Sequence, residues 1–302
     1  MALRPASTDG SRTVSGILFL LAALFIFTVM DAIAKYLTAD YPVIFIMWVR
    51  YAFQFACVVA LSLRARARLV PRTARPGLQV GRAALNVGST FLFIFALRFV
   101  ALADAVALSM VGPLFLTALS VPLLGEKVGI RRWTAVVIGF VGALIILRPG
   151  LGVVHWAGMI LILSSLVYAL YQIATRVVSR SDPPLTTLFY TTAVGLAISS
   201  AIVPFDWKAA PLEVWLLLVV QGGLGALAHL AVITAFTRVP VSTIAPFNYA
   251  SVVMATIVGY AVFGTFPDRW TILGTLVVIA SGLYVIYRET VRRRDLRAAS
   301  GG

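Results

Sequence analysis

The sequence predicts an all-α polytopic membrane protein, with ten transmembrane helices arranged as two inverted five-helix repeats. Three observations predict it. Of 302 residues, 61% are hydrophobic and 12% charged, against about 25% charged in an ordinary soluble domain. The apolar residues fall in runs near 20 residues, the length that crosses a hydrocarbon core of roughly 30 Å as helix. The two halves of the chain can also be laid on one another, as set out below.

In chain order, a tail of residues 1–13 precedes span 1 at about 14 to 37. Arg4 and Arg12 ahead of an apolar run mimic a signal peptide, but the run is too long and reaches Met30-Asp31-Ala32 without a small-residue cleavage site. It is read as a retained first helix. Pro42 opens span 2 (42 to 63), and a basic loop with Pro71 and Pro76 leads into span 3 (78 to 98). Span 4 (101 to 124) contains Gly112-Pro113, where the missing N–H predicts a bend that could serve as a gating hinge. Span 5 (131 to 148) stops before Pro149, span 6 (154 to 178) precedes Pro183, and Pro184 opens span 7 (184 to 203). Pro211 precedes span 8 (213 to 236), Pro240 opens span 9 (240 to 263), and Pro267 precedes span 10 (270 to 288). Residues 289–302 form a basic tail. Trp133, Trp156, Trp207, Trp215 and Trp270 fall near span ends, as interfacial anchors should.

The net charge of +14 does not mark a nucleic-acid binder, because the basic residues cluster in short connections. Assigned alternately to two sides, Arg4, Arg12, Arg64, Arg66, Arg68, Arg72, Arg75, Lys127, Arg131, Arg132, Arg176, Arg180, Arg238, Arg288, Arg292, Arg293, Arg294 and Arg297 share one side. Only Arg98, Arg148, Lys208 and Arg269 take the other. The positive-inside rule then puts both termini in the cytoplasm of a bacterial-type inner membrane, which requires an even number of spans.

Ala96-Leu97-Arg98-Phe99-Val100 lies on Ala235-Phe236-Thr237-Arg238-Val239, and Leu124-Gly125 then falls on Phe263-Gly264 without a gap. Trp133-Thr134 matches Trp270-Thr271, and Gly142 to Arg148 matches Gly282 to Arg288, with small gaps. The chain reads as repeats at 14–148 and 154–288. Five spans per repeat is odd, so the second copy enters from the opposite side, as in carriers that alternate access around a central site.

These features resemble the drug/metabolite transporter superfamily with two EamA-type halves, over about residues 14 to 288. The resemblance rests on Lys35 ending span 1, Trp48-Val49-Arg50-Tyr51 in span 2, Pro113 in span 4 and Gly125-Glu126 closing it. The second half departs from the pattern, with Val252 where a proline is expected and Gly264-Thr265 in place of Gly-Glu. The resemblance implies a ten-helix bundle with a central cavity that exports small organic molecules.

A charge inside the slab costs about 2.5–3.5 kcal/mol at the centre by insertion scales, so one that persists should face a cavity or a partner. Arg50, about eight residues into span 2 and so roughly 12 Å deep, is expected to pair with Asp31, to grip a substrate carboxylate, or to lock helix packing. Asp31 and Lys35 are also spaced for an intrahelical pair. Asp104 is expected to favour the start of span 4 through the helix dipole, and Glu126 to pair within its own basic loop. Trp48 is expected to shape the cavity beside Arg50. Asn86 and Thr90 on span 3, Ser109 on span 4, Tyr168 and Gln172 on span 6, His229 on span 8, and Asn248 and Tyr249 on span 9 complete the candidate lining; each has a packing role as its alternative. His229 and Asp31 are the candidate proton carriers.

The leading expectation is a secondary transporter exporting amino acids or related small metabolites, working as a monomer in the lipid bilayer. The alternative is an intramembrane lipid-modifying enzyme. Against it, the chain has no HExxH, no Cys/His constellation and no close carboxylate pair in the slab, so no catalytic residues, metal or cofactor are assigned. A lone Cys57 cannot form a disulfide within one chain. No Walker A sequence is present.

Overall fold

In the computed structural model, residues 10–64, 71–126, 128–148, 154–239, 243 and 245–300 are described. The helices are α1 Gly10–Leu37, α2 Val43–Arg64, α3 Pro76–Leu97, α4 Leu102–Ser109, α5 Gly112–Leu124, α6 Ile130–Leu147, α7 Val154–Val178, α8 Pro184–Ile202, α9 Leu212–Arg238, α10 Ala250–Phe263 and α11 Arg269–Ser300. Among the described residues, ten spans are long and apolar enough to cross a membrane. Span 4 holds both α4 and α5, and span 9 holds the 3-10 turn Ala245–Tyr249 and α10. Arg4, Lys127, Pro149 and Pro240 lie outside the described residues. The expected tail from 289 is helix to Ser300, because its Glu, Arg, Leu and Ala are strong helix formers and neither Gly nor Pro interrupts them.

The expected bend in span 4 is a full interruption. Met110 and Val111 donate to Ala107 and Leu108 at 3.1 and 3.2 Å, three residues back instead of four, before Pro113 restarts the helix in the first turn of α5. Span 9 breaks at the equivalent place, where the 3-10 turn ends at Tyr249. The matched stops are also alike: Gly125 (φ 68°) and Gly264 (φ 65°) both end their helices in the left-handed conformation that glycine adopts without strain. Their N–H groups donate to Val121 and Tyr260, and the following residues to Ser120 and Gly259.

Eight spans close a ring in the order 1, 8, 2, 7, 3, 6, 4, 9 and back to 1, while spans 5 and 10 pack on each other beside it. Exchanging the halves, span 1 for 6 and so on, maps this order of neighbours onto itself. α6 and α11 run antiparallel: Ser281 Oγ donates to the Ala135 carbonyl, Gly142 faces Gly274, and Arg148 pairs with Asp268 at the far end. Even span number places Gly10 and Ser300 on one face, called here the terminal face. The main apolar core gathers Met47, Ile94, Leu97, Leu102 and Leu108 towards the opposite face and continues through Ala135, Val136 and Val285 towards the terminal one, and a second cluster near the opposite face holds Phe45, Ile46, Leu37 and Leu218. Leu20, Ala235 and Val239 join spans 1 and 8 near the terminal face.

Candidate substrate pathway

Spans 1, 2 and 8 bring ionisable groups together from distant parts of the sequence. Arg50 lies within electrostatic reach of Asp31, Tyr51 and His229. No ion pair joins Asp31 to Arg50, although both are described, and the Arg50 Nε is buried without a hydrogen-bond partner. Gln54, one turn along the same face of α2, approaches Gly225 of α9. His229 Nδ1 is 2.7 Å from the Gly225 carbonyl, which can only accept, and its ring meets Phe27 edge-on at 5.2 Å. Gln221, fully buried one turn from Gly225, donates to the Met30 carbonyl at 3.2 Å.

Across the ring, the wall is aromatic and hydroxylic. Tyr51 donates to Asn86 Oδ1 at 3.3 Å and lies within electrostatic reach of Thr90 and Tyr171. Tyr171 and Tyr168 pair with ring centres 5.5 Å apart. On α7, Ser164 bonds span 3 and Ala157 and Leu161 are buried in the core; Tyr168 falls between those two directions by the 100° helical step, yet is 44% exposed. It therefore opens to the ring's interior. Gln172 follows one turn later on the same side and is half-buried.

Several expected site residues lie elsewhere. Trp48 donates to Ser200 Oγ at 2.9 Å and meets Trp207 at 6.0 Å. Two residues apart on a helix point in nearly opposite directions, so Trp48 cannot share the Arg50 face. It joins Tyr41, Phe45, Trp207 and Trp215 in an aromatic cluster at the opposite face. Tyr249 drives its hydroxyl against Gly282 of α11, and that oxygen is buried without a partner. Ser109 bonds back to the Ala105 carbonyl at 2.8 Å, while Asn248 is exposed and its carbonyl accepts from Ser251. Glu126 pairs with Arg176 at the end of α7 at 2.7 Å, instead of within its own loop. Lys35 does not pair with Asp31; its Nζ donates to the Leu97 and Val100 carbonyls at 2.8 and 2.6 Å.

Arg82 was missed by sequence reasoning. It is fully buried in α3, donating to the Thr187 carbonyl (2.8 Å), Thr191 Oγ1 (2.6 Å), Thr175 Oγ1 and Gln79 Oε1 (3.3 Å each), and lies over the Tyr171 ring at 5.2 Å. Gln79 in turn donates to Asp182 at 2.6 Å, which also accepts from Thr73. Burial would raise the Asp182 carboxyl, but these bonds hold it below its ordinary value. The available signal was an arginine only seven residues into the helix that begins at Pro76. At the opposite face Asp268, in the connection before α11, is held down to about 2 by the hydrogen bond from Arg148, which outweighs the opposing effect of burial.

Both halves, residues 14–148 and 155–288, match the EamA-like transporter family. The chain is similar to a riboflavin transporter of Vibrio cholerae serotype O1, at 29% identity over 288 residues covering 94% of this chain and 97% of the relative. It is similar to an S-adenosylmethionine uptake transporter of Rickettsia prowazekii, at 27% over 286 residues and 93% and 96% coverage. It is also similar to the pseudopaline exporter CntI of Pseudomonas aeruginosa, at 25% over 272 residues and 88% and 94% coverage. One solved structure, titled only as a crystal structure of a protein, superposes with a TM-score of 0.63 at 19% identity, covering 91% of this chain and 97% of that one. That likeness concerns the fold alone.

Proposed function

The chain belongs to the EamA-like transporter family, and we propose that this membrane transporter is a secondary carrier for amino acids or related small metabolites. It works by alternating access between two inverted repeats, residues 14–148 and 154–288, and acts as a monomer without enzymatic chemistry. Antiparallel packing of the corresponding spans 5 and 10, and the ring order that half-exchange preserves, support the inverted arrangement. It lies in a bacterial inner membrane with both termini in the cytoplasm, as its basic connections favour.

The observation that carries the substrate reading is the Arg50 guanidinium, held in the slab with its Nε unpartnered and Asp31 nearby but not bonded. A carboxylate accepts two parallel bonds from a guanidinium, and an ammonium completes a carboxylate, so a zwitterion supplies both missing partners. Asn86, Thr90, Tyr168, Gln172 and His229 line the remainder. Riboflavin and S-adenosylmethionine, in the relatives' names, are larger than an amino acid, so related metabolites with a planar ring belong in the same panel. Export is the proposed direction, although the relatives' names include both uptake and export.

The test is flux of labelled amino acids, riboflavin and S-adenosylmethionine in proteoliposomes of the purified protein, with and without a pH gradient. Saturable flux above empty liposomes supports the carrier. Recovery of a covalently altered product would overturn it in favour of an intramembrane enzyme. A response to the gradient that Asp31→Asn abolishes would make Asp31 the proton carrier; the same loss with His229→Gln would assign it to His229.

A further inference from the structure

Most side-chain bonds between spans of the ring join neighbours. Arg82 ties span 3 to 6 and 7, Arg176 ties 6 to 4, and Arg238 bonds Ser15 between 8 and 1. Lys35 is different. It leaves the end of span 1, crosses the ring at the face opposite the termini, and donates to two carbonyls at the end of span 3, with Phe263 of span 9 5.5 Å beneath its charge. Spans 1 and 3 are not neighbours in the ring, so opening that face must break these bonds.

A second seat lies close by. Asp104, in the first turn of α4, is within electrostatic reach of Lys35, of Thr271 and of the Arg148–Asp268 pair, and its Oδ1 is buried without a partner. A carboxylate oxygen left unmet in such a place is costly unless another state of the protein satisfies it. We propose that Lys35 is the bolt of the gate at the face opposite the termini. It is shut on the Leu97 and Val100 carbonyls here and transfers to Asp104 when that face opens. The bolt rests on the alternating-access reading, but it is tested without any substrate.

In a Cys57→Ala background, Gln172→Cys places a single thiol in the ring's interior. Its labelling by a membrane-impermeant maleimide added at the face opposite the termini reports opening of that face. Lys35→Met removes two carbonyl bonds from the shut ring and one Asp104 contact from the open one, a net loss of about one charge-assisted bond to the shut state, and should raise the labelling rate about tenfold. Lys35→Arg should leave it close to the parent, and Asp104→Asn, which weakens the second seat, should slow it. A parent rate unchanged or lowered by Lys35→Met, or a rise with Asp104→Asn, overturns the bolt. If Lys35→Met does not fold, the Asp104→Asn rate alone decides. No labelling from that face in any folded variant, with labelling from the terminal face retained, overturns alternating access itself.

Discussion

Two arginines lie inside the slab with opposite consequences, and their surroundings separate them. Arg82 is surrounded by acceptors from three spans, whereas Arg50 has a buried Nε that meets none. Replacing Arg82 by Met leaves Gln79 and the threonines short of partners and should destabilise the fold by about 1–3 kcal/mol, read as a lower melting temperature in detergent. Arg50→Gln should instead leave that temperature within a degree or two (roughly 0.5 kcal/mol) and abolish saturable flux, with Arg50→Lys retaining part of it. The reverse pattern would exchange the two roles. Sequence reasoning reached Arg50 because a charge deep in an apolar run needs a reason. It missed Arg82 because the acceptors that make its burial tolerable, Thr175, Thr187 and Thr191, lie about a hundred positions away. Trp48 was misplaced for a different reason: adjacency in sequence says little about azimuth on a helix.

Element boundaries were the most legible feature, since length, hydropathy, proline and glycine act locally. The paired stops at Gly125 and Gly264 follow directly from the aligned halves, and the break in span 4 from Gly112-Pro113. The matching break in span 9 was not legible, because Val252 stands where its proline would be. Which spans touch was not legible, because every span is apolar on most faces and small residues do not name their partner. The contact of α6 with α11 depends on Gly142 and Gly274, where a Cβ on the first would lie 2.9 Å from the Gly274 carbonyl oxygen. Gly142→Val should cost about 1–3 kcal/mol through this backbone clash, measured by thermal unfolding in detergent; an unchanged midpoint would mean the helices can separate freely. The Arg148–Asp268 pair closes the same two helices. Because the Asp268 pKa is depressed to about 2 from 3.8, its contribution is complete above about pH 4 and is lost as pH falls towards 2. Both side chains are partly exposed, so the effect should be small. Asp268→Asn should lower the melting temperature slightly at pH 7 and remove the pair's share of the acid sensitivity; any pH dependence of flux between pH 5 and 8 should survive it.

On the scale of the whole molecule, eight spans surround an interior with an ionisable wall on spans 1, 2 and 8 and, across from it, Asn86 and Thr90 of span 3 beside the tyrosine pair of span 6. Spans 5 and 10 pack on each other outside this ring and join the two halves there. The alternating-access carrier proposed above would expose one site to one face at a time, which makes exchange its direct signature. The decisive measurement is counterflow: proteoliposomes are preloaded with an unlabelled substrate identified in the flux panel, and entry of a trace of labelled substrate is followed. The account predicts transient accumulation of label above equilibrium, saturable in the preloaded compound and abolished in Arg50→Gln. Entry that is linear in concentration, indifferent to preloading and unchanged in Arg50→Gln would contradict it and describe a pore.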